Sequence, residues 1–256
     1  MSWSAAQYTK FERERTRPVR DLLLQIPVED AKTAVDLGCG PGNSTELLKA
    51  RFPNAAITGM DSSSDMIEAA RKRMPDIHFE IDDIATWHQP GPFDVIFANA
   101  SLQWVPDHAR LLPTLMEKLA PGGSLAVQMP DNLDEPAHQL MAKVGREGPW
   151  AKKIEQAETA RVKRQSPDWY YRILGTGGAQ VDLWRTVYFH PLAGGAPAVV
   201  EWFKATGLRP YLTPLDEAER KDYLAKYEAE IALAYPALPN GTVVLPFPRL
   251  FFVATR

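Results

Sequence analysis

VDLGCGPGNST, residues 35–45, is the stretch on which the fold turns. It joins a strand-like apolar run to a helix-forming run, and glycines at 38, 40 and 42 puncture the connection. Glycine reaches positive φ without steric cost, so it suits a chain that reverses sharply between a strand and a helix. In an open α/β sheet, such a turn at the carboxyl end of the first strand borders the ligand crevice. A dinucleotide-binding turn spaces its glycines G-x-G-x-x-G. Here position 43 is Asn and the third glycine is Gly42, behind Pro41, so the pattern is G-x-G-x-G. That opening suits a ligand whose bulk lies across the backbone without a phosphate. Asn43 is expected to cap the following helix, with Glu46 three residues on as in a capping box.

Working outward, short apolar runs alternate with helical patterns. Strands are expected over TAVDLG (33–38), AAITGMD (55–61), IHFEIDDI (77–84), FDVIFANA (93–100) and SLAVQM (124–129). Helices are expected over 44–52, 63–74 and 107–120, the last closing at the PGG of 121–123. This βαβ succession with short connections predicts a doubly wound α/β fold, with a parallel sheet covered on both faces. VDLWRTVYFH (181–190) and TVVLPFPRLFFVATR (242–256) add two strands, the second returning antiparallel, for a mostly parallel seven-stranded sheet. GTGGAQ (175–180) reads as a turn before a strand, not a second nucleotide loop. Helical patterns, mainly over 131–180 and 197–240, read as a lid within one domain spanning 1–256.

Acidic residues close successive strands: Asp36 the first, Asp61 the second, Asp83 the third. Asp61 lies nineteen residues beyond Gly42, the distance at which a strand-end acid accepts from ribose hydroxyls. Asp83 is placed to accept from an adenine amino group, with the Ile84 backbone at the ring edge, and Asp82 competes for that role. His108 reads as an exposed helix residue.

Composition narrows the classes. Net charge is −3, so no basic field invites nucleic acid or an anionic membrane. One cysteine, Cys39, cannot form an internal disulfide, and five histidines show no ligand-like pairing, so neither a disulfide framework nor a metal site is expected. No apolar run reaches membrane-spanning length and no leader-like segment opens the chain, which predicts a cytoplasmic protein, taken as a monomer.

The ordered motifs VDLGCGPGNST, Asp61, DDIATW (82–87) and LAPGGSLAVQ (119–128) resemble those of the class I S-adenosylmethionine-dependent methyltransferases, whose sheet is Rossmann-like. FANASLQWVPDH (97–108), GLRPYL (207–212), AYP (234–236) and LPFPRLFFVATR (245–256) resemble, more narrowly, the branch that esterifies small polycarboxylates such as trans-aconitate. The likeness runs over nearly the whole chain. It implies that S-adenosylmethionine is the cofactor and S-adenosylhomocysteine the product. Gly38, Cys39, Gly40 and Gly42 would line the methionine end, with Asp36 supporting the loop and facing the charged amino group. Asp61 with Ser62 would take the ribose, and Asp83, Ile84 and Met66 the adenine. Asn99 and Leu102 would lie on the rim near the sulfonium, and Trp3 and Tyr8 in a segment folding over the cofactor.

An ionised carboxylate needs no general base, and none stands out at the strand ends, so no catalytic acid–base residue is expected. A polyacid needs cations, and Arg is the natural bidentate anchor. Arg161, Lys163, Arg164, Arg172 and Arg185 are available; Arg209 and Arg249, set among apolar and proline residues, are preferred. Trp104 is expected to wall off methyl group and substrate, and Tyr170, Tyr171, Tyr188 and His190 to donate to free carboxylates. Rival readings are an esterifier of a carrier-bound malonyl group, a nicotinamide-dependent oxidoreductase and a non-catalytic cofactor-binding protein.

Overall fold

Strand β1 (Thr33–Leu37) is buried from Ala34 to Leu37, on both faces, as expected of a strand sandwiched between helix layers. The computed structural model describes residues 12–155, 157, 164–204 and 206–256. Trp3, Tyr8, Arg161 and Lys163 lie outside the described residues. β1 pairs in parallel with β2 (Ala56–Asp61) on one side and β4 (Phe93–Asn99) on the other. β2 pairs in parallel with β3 (His78–Ile81), and β4 with β5 (Leu119–Pro130). With β6 (Gln180–Ala193) and β7 (Thr242–Thr255) the sheet order is β3-β2-β1-β4-β5-β7-β6. Strand order reverses between β1 and β4, and the switch point there is where an open α/β sheet forms its ligand crevice.

Among the described residues the α-helices are α1 (Glu12–Leu24), α2 (Asn43–Arg51), α3 (Ser64–Arg73), α4 (His108–Glu117), α5 (Pro136–Glu147), α6 (Pro167–Leu174), α7 (Gly195–Lys204), α8 (Arg209–Leu212) and α9 (Glu217–Ala234). None of them is long and apolar enough to cross a membrane. The chain divides into two compact units. The first takes the residues up to Pro130, Arg164–Thr186 and Leu250–Arg256; the second takes Asp131–Lys163 and Val187–Arg249.

In the first unit, Val35, Leu37, Ile96, Val127, Leu102, Tyr170 and Phe252 share one core cluster, while Cys39, Ile67, Ala70 and Phe79 form another. Tyr170 of α6 stacks on Phe252 of β7 with ring centroids 5.6 Å apart. The second unit is locked by tyrosines. Tyr223, Tyr227 and Ile231 recur every fourth residue along α9 and are fully buried. The Tyr223 and Tyr227 hydroxyls donate to the α5 carbonyls of Met141 (2.9 Å) and Ala137 (3.0 Å). Asp216 and Glu219 close a capping box at the start of α9.

Two expectations need correcting. The N-cap of α2 is Gly42, at φ 89°, and no side chain caps it; Asn43 is already the first helical residue. Glu46 instead reaches Arg73 (3.1 Å). The fifth strand also begins earlier than SLAVQM, because the PGG segment belongs to β5. Gly122 N–H donates to the Arg256 carbonyl (2.8 Å), and Arg256 N–H to that of Gly123 (3.0 Å). With Ser124 beside Thr255 (2.9 Å), these bonds set β7 antiparallel to β5. The helix before it accordingly stops at Glu117.

Gly59 on β2 sits in register with Phe79 on β3. A Cβ there would lie 2.5 Å from the Phe79 ring. Gly59→Ala should therefore cost about 1–3 kcal/mol by overpacking, read as a lower urea midpoint. Adding Phe79→Leu should recover part of that loss. Strictly additive losses in the double variant would contradict the clash.

Candidate active site

The glycine turn is shaped by its own packing. Gly38, Gly40 and Gly42 all take positive φ (74°, 55° and 89°). A Cβ on Gly38 would stand 2.4 Å from the Ser101 Cβ, so that position has neither the conformation nor the space for a side chain. The N–H groups of Gly38 and Cys39 both donate to the Met60 carbonyl (2.8 and 2.9 Å), tying the turn to β2. Cys39 is buried, and burial pushes its thiol pKa up.

Beneath the turn lies Asp36, 0% exposed. Its Oδ2 accepts from the hydroxyls of Ser44 and Thr45, both at 2.7 Å, in the first turn of α2. Its Oδ1 is buried with no hydrogen-bond partner. Burial raises the Asp36 pKa from 3.8 to about 6, against the lowering effect of the two hydroxyls. A buried carboxylate oxygen without a donor is costly, and it fits a cationic donor supplied by a ligand.

At the end of β2, Asp61 Oδ2 accepts from Gly40 N–H (3.0 Å) and Oδ1 from Ser63 N–H (2.9 Å). Burial raises its pKa too, opposed by these bonds. Ser62 beside it is exposed, and Met66, in the first turn of α3, is buried. Past β3, Asp82 Oδ1 accepts from Asp83 N–H (2.8 Å), and the exposed Asp83 accepts from Ala85 N–H (2.9 Å). Ile84 is buried, and its Cδ1 lies 3.6 Å from where a Gly38 Cβ would be.

The fourth strand ends in a built rim. Asn99 Oδ1 accepts from Gln128 Nε2 (2.7 Å), and Ala100, at φ 54°, donates its N–H to the Gln128 carbonyl (2.9 Å). Ser101 Oγ donates to the Leu37 carbonyl (2.7 Å), joining the rim to β1. Leu102, fully buried, opens a short 3-10 turn ending at the half-buried Trp104. His108 is buried, contrary to the exposed position expected for it. Its Nε2 donates to the Leu102 carbonyl (2.8 Å), and its Nδ1 accepts from the Tyr170 hydroxyl (2.9 Å). Burial lowers its pKa, keeping the ring neutral in this role. The partner that buries it lies sixty-two residues away, so no local pattern announces it.

The structure thus gathers the residues expected at the cofactor, apart from Trp3 and Tyr8, along the carboxyl ends of β1–β4 in the first unit. Sequence reasoning gave no role to Ser44, Thr45, Ser101 or Gln128. The only cue was their place just after a glycine turn or at a strand end. The anchors expected for the substrate divide between the units. Trp104 and Tyr171 belong to the first unit, Tyr171 exposed on α6; Tyr188, His190, Arg209 and Arg249 belong to the second. There His190 stacks on Trp202 with centroids 4.5 Å apart, and Arg249, 5% exposed, holds its guanidinium 4.9 Å from the Phe247 ring centre. Tyr188 is buried and Arg209 half-buried at the start of α8. Among the described residues no group of three or more His, Cys, Asp or Glu side chains is arranged to hold a metal ion.

The methyltransferase domain family matches residues 34–123, from β1 into β5. The trans-aconitate 2-methyltransferase of Rhizobium meliloti (strain 1021) is 55% identical over 256 residues, covering 100% of this chain and 99% of its own. That of Methylobacterium nodulans is 54% identical over 254 residues, 99% and 98% of the two chains. Among solved structures, phosphoethanolamine N-methyltransferase 2 of Haemonchus contortus, in complex with phosphomonomethylethanolamine and S-adenosylhomocysteine, superposes with a TM-score of 0.57. At 15% identity, over 94% of this chain and 52% of that one, it speaks for the fold alone.

The Asp36 environment fixes a pH dependence. Its pKa is raised in the fold, so between about pH 4 and 6 the native state binds more protons than the unfolded chain. Its contribution therefore turns against the fold as pH rises through that window, by about 3 kcal/mol once fully ionised. Asp36→Asn removes the titration. Relative to wild type, the variant should gain stability of that order between about pH 4 and 7, measured by denaturant unfolding at each pH. Parallel pH profiles would contradict the assignment.

Proposed function

The chain belongs to the trans-aconitate 2-methyltransferase family, and on that premise we propose that it transfers a methyl group from S-adenosylmethionine to a carboxylate of trans-aconitate, giving a monomethyl ester and S-adenosylhomocysteine. The observation that carries this reading is identity of 55% sustained across the full length, including the segment beyond the matched domain. The cofactor, when bound, supplies an electrophilic methyl group on a sulfonium whose departure leaves a neutral thioether.

The residues present fit that cofactor. The unpartnered Asp36 Oδ1 is the acceptor for its ammonium group. Gly38, Cys39, Gly40 and Gly42 leave the backbone open along its methionine portion. Asp61, both of whose oxygens already orient backbone amides, keeps lone pairs for ribose hydroxyls, with Ser62 alongside. Met66, Asp83 and Ile84 take the adenine. Asn99 and Leu102, held by Gln128 and His108, form the wall beside the reacting centre.

The reaction asks for orientation and dryness, not proton transfer. A substrate carboxylate is ionised above about pH 5 and attacks in line. Excluding water strips solvation from the nucleophile. No metal is called for, because neither nucleophile nor leaving group needs a Lewis acid. Trp104 is the wall that keeps water from the methyl group. The free carboxylates need counter-charge, for which Arg249 and Arg209 are the anchors and Tyr188, His190 and Tyr171 the donors. Of these, Arg249 and His190 are buried about Phe247, where a carboxylate gains most from a guanidinium.

A panel of acids assayed by S-adenosylhomocysteine release tests the reading. trans-Aconitate should turn over best, with cis-aconitate, citrate and isocitrate poorer, because a rigid planar triacid loses least rotamer entropy on binding. Turnover of a carrier-bound malonyl group with the tricarboxylates inert would overturn it. For the acid, log(kcat/KM) should be flat between about pH 7 and 8.5; a slope of one there would reveal a catalytic base. Arg249→Leu should raise KM for the triacid by about tenfold or more, the scale of a lost charge-assisted pair, while cofactor affinity stays near wild type.

A further inference from the structure

Gln103, on the rim after β4, holds a second buried oxygen without a hydrogen-bond partner. Its side chain is 9% exposed, and its Nε2 donates to the Ala100 carbonyl at 2.7 Å while Oε1 meets no donor. The amide cannot be turned over to cure this. The flipped group would set two carbonyl oxygens face to face at the same short distance. An unsatisfied buried acceptor is rare in a native structure and calls for a reason.

Its location supplies one. Two residues back, Ser101 donates to the Leu37 carbonyl (2.7 Å), and its Cβ occupies the space above Gly38. Trp104 N–H closes the turn onto the Ser101 carbonyl (3.1 Å). The carboxamide of Gln103 is therefore fixed over the left-handed Ala100, in the same few residues that bear on the glycine turn. Asp36 Oδ1, under that turn, is another buried oxygen without a donor. The two differ in charge, and so do the demands of the cofactor's two cationic centres. The ammonium can be met by a full carboxylate. A carboxylate beside the sulfonium methyl would itself be a nucleophile competing for transfer. An amide oxygen is a neutral acceptor and a poor nucleophile, so it can polarise and aim the methyl C–H groups without being alkylated.

We propose that Gln103 is a positioning residue whose Oε1 accepts C–H hydrogen bonds from the methyl group of S-adenosylmethionine, holding it in line for the incoming carboxylate. This rests on the reading that the chain binds that cofactor. Such contacts are individually weak and strengthen when the carbon bears a positive charge. They are made to S-adenosylmethionine and not to S-adenosylhomocysteine, which lacks the methyl group. Binding therefore separates this role from a merely structural one.

The test is calorimetric titration of both ligands into wild type, Gln103→Met and Gln103→Glu, with apo melting temperatures recorded. Gln103→Met removes the acceptor at similar volume. It should weaken S-adenosylmethionine about three- to tenfold relative to S-adenosylhomocysteine, and lower kcat with little change in KM for the acid. Gln103→Glu keeps an oxygen at the same reach and adds charge, so it should move the ratio the opposite way. If Gln103→Met does not fold, the Gln103→Glu ratio decides alone. Equal losses for both ligands, or an unchanged ratio in the variant that folds, would overturn the proposal. Failure of wild type to bind either ligand would instead overturn the function on which it rests.

Discussion

A carboxylate held where water cannot reach it governs this molecule. Asp36 sits in the central strand of the switch point, with one oxygen bonded to Ser44 and Thr45 and the other unmatched. The two hydroxyls belong to the helix that follows the glycine turn, so the same side chain joins β1 to α2 and sets the depth of the loop between them. The turn over the unmatched oxygen is pinned on both sides. Gly38 is wedged under Ser101, and Gly40 is held by Asp61. The fold thus holds a buried acceptor without a donor at a cost to its own stability, an arrangement typical of sites built to receive charge.

The rest of the first unit positions groups around that acceptor. Gln128 fixes Asn99, and His108, braced by Tyr170, fixes the Leu102 carbonyl, so the rim after β4 is held from two sides. Within the second unit, Arg249 and His190 are buried about Phe247.

Much of this was legible in the sequence, for identifiable reasons. The strand runs of β1, β2 and β4 are near-continuous and apolar, and the acids at 36 and 61 stand at their ends. What failed to show was long-range. The Asn43–Glu46 spacing imitates a capping box, yet Gly42 is the cap. The open α2 turn receives Asp36 through Ser44 and Thr45, while Glu46 is drawn to Arg73. PGG reads as a stop, yet Arg256 from the far end of the chain pairs with it and makes it strand. His108 follows Pro-Asp and looks exposed until Tyr170 closes over it. Helix α1 does carry a helical period, Val19, Leu22, Leu23 and Ile26, all buried, but the charged run before it hides that face, and the unpartnered Gln103 oxygen is visible only in three dimensions.

The central claim is that Asp36 receives the cofactor's cation, and proton release on binding tests it most directly. A bound cation must pull the Asp36 pKa down from about 6. S-adenosylmethionine binding near pH 6 should then expel roughly half a proton, read from calorimetric titrations in buffers of different ionisation enthalpy. Asp36→Asn should abolish that release and leave only the ligand's own ionisation. Equal proton linkage in wild type and variant would show that the cation binds elsewhere.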